Sequence, residues 1–383
     1  MTDFGAPMRA AFSLPEGIRY LNHGAFGLVP REVQAAQRRW QDAMESSPVE
    51  YFMRQAPGGM VRSRHAAAHL LGCDADSLVL VENATSAVAA VLQSLDFDPG
   101  DEVVTTNHAY PAVMRALEYR VARAGARLVV ASVPFPLEGP NEVIDAVSRA
   151  LGPRTRLLLV DGISSATGTC FPVEACVALA REHGVPIMVD GAHMPGHVPL
   201  QLSELEPDFW CGNLHKWAWA PRGCAVLYAA PRWRESMHPP VISHGLGEGW
   251  QEEFDWTGTR DSTAWMCVPE AMAFAEQRGW ERIQAHNRAL CLRAANLLAE
   301  RWGCAPAVPE SMRANLATLP VPGPGTPERA VALRDQLYDQ HRLELPFFAF
   351  EGRMWLRISA QIYNELDEYE FLAKVLPEIW QRV

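Results

Sequence analysis

The chain has 383 residues, 48% hydrophobic and 21% charged, a balance able to bury a sizeable core and suited to a large domain with a smaller companion. A formal net charge of −11 leaves no basic face for nucleic acid or anionic lipid, so neither is expected as a partner, and small-molecule chemistry fits better. The eight cysteines form no CxxC pair, so neither a metal site nor a disulfide framework is expected. With no signal-like start and no apolar run near the ~18 residues of a membrane span, cytoplasmic residence is expected.

Residues 1–20 read as an irregular N-terminal arm. Arg19-Tyr20-Leu21-Asn22-His23-Gly24-Ala25-Phe26-Gly27 then places a short apolar strand before polar residues and glycines, where the backbone either turns or approaches a ligand closely. Residues 31–71 have helical periodicity, with breaks expected near Ser46-Ser47-Pro48 and at Pro57-Gly58-Gly59. From residue 77, apolar runs at 78–81, 102–105, 127–131 and 156–160 alternate with amphipathic segments near 86–95, 112–124, 141–151 and 173–183. That rhythm predicts a mostly parallel sheet covered on both faces.

Such sheets bind ligands at the C-terminal ends of their strands, so those ends carry the chemistry. The first, Glu82-Asn83-Ala84-Thr85-Ser86-Ala87, opens a helix with small hydroxylic residues. Free N–H groups and the helix field there suit a phosphate, with Thr85 and Ser86 as the cradle; a plain helix cap is the other reading. The second, 105–112, offers the imidazole of His108 and the phenol of Tyr110, and the third, 161–168, is a polar loop. The run Pro186 to Val189 delivers Asp190, followed by Gly191-Ala192-His193, and the run Asp208 to Gly212 ends on Asn213-Leu214-His215-Lys216. An acid and a lysine brought to one crevice match the needs of pyridoxal phosphate (PLP), which takes a lysine as a Schiff base and an acid beside its ring nitrogen. Burial and a neighbouring cation would depress the pKa of Lys216 and make its amine a usable nucleophile and base.

Cys224–Ala229 reads as an antiparallel strand returning from this site, with Trp217 and Trp219 before it as packing residues. The glycines at 245, 247 and 249 suggest a mobile loop. Residues 264–303 read as a long helical region and 306–327 as a proline-rich linker. In 354–364, Met354-Trp355-Leu356-Arg357-Ile358-Ser359 puts an arginine inside an apolar strand, a poor choice unless the planar guanidinium meets an anion.

Asp190-Gly191-Ala192-His193 followed by Asn213-x-His215-Lys216 resembles the core of the class V aminotransferases, fold-type-I PLP enzymes that include isopenicillin N epimerase-like and cysteine desulfurase-like proteins. The resemblance spans nearly the whole chain. It implies an α/β fold of type I: the arm (1–20), a large PLP-binding domain (21–262) with a mostly parallel sheet flanked by helices, and a smaller α+β C-terminal domain (263–383) to which the arm contributes. By the resemblance, Lys216 carries the cofactor and Asp190 stabilises the electron sink. His108 stacks on the ring, with Tyr110 the competing aromatic. Thr85, Ser86, Asn213 and His215 bind phosphate, while Ser165 and His193 contact the ring hydroxyl or edge. Arg357 holds the substrate α-carboxylate and Asn22 contacts substrate or cofactor. The string Phe254-Asp255-Trp256-Thr257-Gly258-Thr259-Arg260-Asp261 resembles the epimerase-like members. It implies that Thr259 reaches the phosphate of a neighbouring subunit in a homodimer with shared active sites; Arg260 meets a substrate acid group or pairs with Asp261. Residues 338–356 contain no cysteine, which argues against the persulfide route of the desulfurases. The expected function is PLP chemistry at the α-carbon of an amino acid, by an epimerase or C–S lyase. A transaminase and a non-catalytic binding protein of the same fold are the alternatives.

Overall fold

The computed structural model describes residues 4–383, so residues 1–3 of the expected arm lie outside the described residues. In chain order, β1 (Arg19–Tyr20) is followed by β2 (Leu78–Val81), β3 (Glu102–Thr106), β4 (Arg127–Ala131), β5 (Thr155–Asp161), β6 (Ile187–Asp190), β7 (Phe209–Asn213) and β8 (Ala225–Ala229). β2 to β8 form one sheet in the order β2-β8-β7-β6-β5-β3-β4, as the spacing of apolar runs predicts. Five neighbouring strands, β7 to β4, run parallel, and β8 alone runs against its neighbours β7 and β2. Successive side chains on a strand face opposite ways, and here both faces are covered. Leu158, Val160, Val189 and Trp210 pack into one apolar cluster, and Leu157, Leu159, Met188 and Cys211 into another. Each such side chain contributes roughly 1.5–3 kcal/mol by leaving water. Unbroken apolar runs are therefore what these strands require.

A smaller antiparallel sheet follows, built from β9 (Leu316–Pro324), then, past the short β10 (Leu343–Glu344), β11 (Phe347–Phe350) and β12 (Arg353–Ser359), in the order β11-β12-β9. Helices Trp280–Trp302, Pro327–His341 and Leu366–Trp380 cover it, burying Leu298, Leu333 and Leu372 against Leu319, Leu356 and Ile358. β1 pairs with β10, which ties the N-terminal segment to this smaller unit. Among the described residues, no helix is long and apolar enough to cross a membrane.

Three sequence expectations change. The break at Pro57-Gly58-Gly59 is absent: helical backbone runs on over residues 48–71, and the π turn Tyr51–Gln55 just before Pro57 is where the regular helical ladder gives way to a proline that has no N–H. Gly59 there is a packing choice: a Cβ would lie 2.3 Å from Met266 Sδ. The 306–327 linker contains β9, an edge strand that tolerates its prolines because no neighbour needs their N–H on the outer side. The region 264–303 is three helices, Thr263–Met266, Val268–Glu276 and Trp280–Trp302.

The two units meet around the loop that carries Lys216. Gly27, at φ 67°, lies so close to it that a Cβ would stand 2.4 Å from the His215 carbonyl oxygen. Two fully buried histidines bolt the seam. His23 donates through Nε2 to the Lys216 carbonyl (3.1 Å) and accepts at Nδ1 from the Tyr363 hydroxyl (2.9 Å). His197 donates through Nδ1 to the His193 carbonyl (2.9 Å) and accepts at Nε2 from the Asn315 amide (2.8 Å).

Burial holds both imidazoles down at about 3, so they fold neutral. The unfolded chain binds the extra protons once the pH drops below the ordinary value near 6.5, so stability should fall as pH falls from there towards 3. Each histidine contributes up to about 1.4 kcal/mol per pH unit in that window. Urea unfolding at pH 7.0, 6.0 and 5.0 checks this, and His197→Gln should flatten the slope.

Candidate active site

Lys216 follows β7 through a tight turn and is partly buried, its Nζ 3.0 Å from His193 Nε2. Burial pushes its amine down to about 8, against the opposing pull of Asp190. On the other side of His193, the Trp217 indole N–H donates to Nδ1 at 3.4 Å. Because indole only donates, Nδ1 accepts and the ring proton of neutral His193 sits on Nε2, facing the lysine. An N–H facing Nζ is satisfied only by an unprotonated amine. Trp217, expected as packing, thus sets a tautomer that favours the free base. Trp219 is packing, buried against Phe274 and stacked on Trp280 at 13°.

Asp190 ends β6 beside Lys216. Its Oδ1 accepts from the Ala192 amide (3.0 Å) and from the Cys211 thiol (3.8 Å). Burial raises its carboxyl above the usual carboxylate range, and the amide and Lys216 pull it partly back. Asp190, His193 and Lys216 border a cavity of about 480 Å³, with Thr85, Ser86, Ser165, Asn213 and His215 from the other predicted strand ends. Topology thus collects residues up to 191 positions apart, Ala25 to Lys216, around one cavity.

The phosphate end is partly pre-satisfied. Asn213 Oδ1 accepts from the Ala84 amide (2.9 Å), and Asn83 Oδ1 caps the Ser86 amide (2.9 Å). A phosphate there would rely on the remaining turn amide, the Thr85 and Ser86 hydroxyls and the positive end of helix Ala84–Ser94. His215 gives Nδ1–H to the Cys224 carbonyl (2.9 Å), so its Nε2 donates to an anion only if the ring gains a proton. Burial holds that ring down at about 4 in the absence of such an anion. Amine, acid and phosphate-binding end occupy one chamber of cofactor size, and this donor set fits PLP.

His108, expected to stack on the ring, does not border the cavity. It is buried among Phe135, Phe171 and Phe350, accepts from the Thr167 hydroxyl (2.9 Å) and donates to the Val133 carbonyl (3.3 Å). Its competitor Tyr110 does border it, 43% exposed at the start of helix Pro111–Ala124. A polar residue in a strand-to-helix turn can face either way, and the Phe350 contact from the smaller sheet, which draws His108 inward, has no local sequence signal. Asn22 is buried outside the cavity lining with an unpartnered Oδ1, while its neighbours Ala25 and Phe26 border it. Arg260 does not pair with Asp261: it pairs with Glu82 and lies 4.1 Å over the Trp265 ring, while Asp261 caps Thr263. Thr259 is exposed and away from this cavity.

Arg357 lies in the central strand of the smaller sheet and donates to the carbonyl of Ser165, a cavity residue. It is buried, its Nε has no partner, and among the described residues it has no acidic partner. Burial holds its guanidinium down to about 10, still a full cation at neutral pH. Two residues that sequence reasoning left without a role also stand here: Asp161, at the end of β5, and Phe26, 67% exposed at the cavity rim.

The aminotransferase class-V family model matches residues 19–335. The L-cysteine desulfhydrase of Arabidopsis thaliana is 32% identical, over 95% of this chain and 88% of that protein. The isopenicillin N epimerase of Amycolatopsis lactamdurans is also 32% identical, over 98% of each. The solved structure of a C-DES mutant with glycine covalently linked to its PLP cofactor superposes with a TM-score of 0.84 at 22% identity, over 97% of this chain and 99% of that one, and so shares the fold. With the lysine, the acid and the phosphate-binding turn in one chamber, and with these matches along nearly its whole length, the chain belongs to the class-V aminotransferase family and is a PLP-dependent enzyme.

Proposed function

We propose that the enzyme is a carbon–sulfur β-lyase acting on L-cysteine or a close sulfur-substituted derivative. The observation that carries this reading is the one-sidedness of its base chemistry. Lys216 borders the cavity with His193 beside it, whereas both ring nitrogens of His108, the expected second group, are spent on Thr167 and Val133. Elimination needs one base at the α-carbon and a leaving group at the β-carbon; epimerisation needs a proton donor on each face. Four relatives named L-cysteine desulfhydrase, three of them with a qualifier in the name, are 31–32% identical and support the same choice, while two named isopenicillin N epimerase are as similar.

PLP, when bound, supplies an electron sink that acidifies the α-C–H of an attached amino acid. The chain's residues do the rest. Arg357 binds the α-carboxylate, an anion its buried guanidinium lacks among the described residues, and so fixes the α-carbon. Lys216 Nζ, kept in its unprotonated form by the hydrogen bond it accepts from His193 Nε2–H, takes the α-proton once its single lone pair is released from that bond, and Asp190 would supply a negative charge to the ring cation. The carbon–sulfur bond breaks as the α–β double bond forms, and the sulfur leaves with its electron pair. For cysteine the balance is one cysteine and one water to hydrogen sulfide, pyruvate and ammonia.

The Tyr110 phenol at the cavity mouth favours epimerisation as the second reading, because it offers a proton from another wall. A second copy of the chain completes the site, Thr259 reaching the partner's phosphate. Phe26, Val241, Ile242 and Leu246, all exposed here, are the surface that such a copy would cover. Eight free cysteines suit a reducing compartment such as the cytoplasm.

Incubation with L-cysteine should release sulfide and pyruvate in equal amounts; deuterium exchange and stereochemical inversion without sulfide would instead make it an epimerase. Arg357→Ala should raise KM for the amino acid by roughly tenfold or more with a smaller fall in kcat, and Arg357→Lys should not restore it, since an ammonium lacks the bidentate fork. Capture of PLP by apoprotein should rise with pH about a midpoint near 8, the lysine value set by burial. Asp190→Asn should lower that midpoint by removing the charge that favours the ammonium, and Trp217→Phe should raise it by releasing the His193 tautomer. Stopped-flow absorbance across pH 6–10 reads all three.

A further inference from the structure

β5 and β6 are parallel neighbours whose last residues, Asp161 and Asp190, are in register. In-register residues on adjacent strands project to the same side of the sheet, and both carboxyls border the cofactor cavity. Both are buried, Asp161 at 2% exposure and Asp190 at 4%. Asp190 has the Ala192 amide, the Cys211 thiol and the field of Lys216. Asp161 Oδ2 has no hydrogen-bond partner, and among the described residues Asp161 makes no ion pair. Of the other charged or titratable groups near the chamber, Lys216 is committed to His193, Arg357 to the Ser165 carbonyl, His215 to the Cys224 carbonyl and Cys211 to Asp190, while Tyr110 is 43% exposed at the mouth.

Two ionised carboxylates cannot stand side by side in a dry chamber that supplies a cation to only one of them. We propose that Asp161 is a second cofactor-site residue, a carboxylic acid kept protonated beside the ionised Asp190, whose O–H donates a hydrogen bond to the group bound in the cavity. A protonated carboxyl donates where an ionised one only accepts, so its unpartnered oxygen is aimed as a donor. Burial and the charge of Asp190 both push Asp161 well above the ordinary carboxylate range, in line with that geometry. The proton also leaves one negative charge, that of Asp190, for the one positive charge of the cofactor ring. This proposal rests on the reading of Asp190 as the ring's acid partner.

Asp161→Asn replaces a neutral donor by another of the same shape, so it should keep PLP affinity within about threefold and leave the pH midpoint of the visible absorption band unmoved, whereas Asp161→Ala should weaken PLP about tenfold or more. Infrared spectra of the apoprotein should show a protonated carboxylic acid band that Asp161→Asn abolishes. If Asp161→Asn lowers the absorption midpoint by about one unit or more, a negative charge has been removed and the proposal fails. Persistence of the infrared band in Asp161→Asn overturns it as well. Asp190→Asn separates the two readings: an unmoved midpoint there would refute the ring-partner role of Asp190, while the infrared result still decides the state of Asp161.

Discussion

Everything in this molecule depends on keeping an amine in a dry place. An ammonium buried without compensation is costly, and the protein deals with that cost by letting Lys216 slip towards its neutral form, with burial drawing it to about 8 and Asp190 pulling only partly back. The surrounding histidines obey the same rule. His23, His193, His197 and His215 are all held below their ordinary value by burial, so the chamber contains nitrogen donors and acceptors of fixed direction rather than a cluster of cations. Neutral imidazoles with one donor and one acceptor nitrogen make directional joints, and four of them surround one lysine.

The smaller unit matters because it delivers what the large sheet cannot. Its central strand β12 carries the buried cation, Arg357, across the seam to Ser165, while β1 and β10 join the N-terminal segment to the same unit. His23 then links Tyr363 of that unit to the carbonyl of Lys216 itself. A shift of one unit against the other would therefore strain both ties, so the spacing between Arg357 and Lys216 is held fixed.

Much of this was legible in the sequence, and the physical reason is periodicity. Strands buried on both faces must be unbroken apolar runs, so β2 to β8 announce themselves, and their polar ends announce the site. Asp190, Lys216, Thr85, Ser86, Ser165, Asn213, His193 and His215 all come to one cavity for that reason. What stayed hidden depends on which way a side chain turns once the backbone is placed. His108 turned inward to an aromatic cage completed by Phe350, some 240 residues later, and Arg260 found Glu82 rather than its sequence neighbour. β9 was hidden by its prolines, which an edge strand accepts and a propensity rule does not. Asp161 was hidden by context alone, since an acid at a strand end reads as a cap until its neighbour on the next strand is also an acid.

The division between legible and hidden follows the division between shared and particular chemistry. The groups that hold the cofactor and generate reactivity at the α-carbon sit on strand ends, where register fixes them and a single substitution is felt by the whole sheet. The groups that decide what the activated carbon does next sit on the walls that are less constrained: Tyr110 at a helix start, Phe26 on an exposed turn, and the β11 segment from the smaller sheet. The lyase chemistry proposed above needs a base on one face only, because removal of the α-proton and loss of a β-sulfur call for no proton donor on the far side. The same cavity with a phenol moved a short distance inward would reprotonate that carbon. On the proposed reading, the choice between lyase and epimerase in this chain rests on the reach of one wall residue, Tyr110, and not on the architecture that carries it.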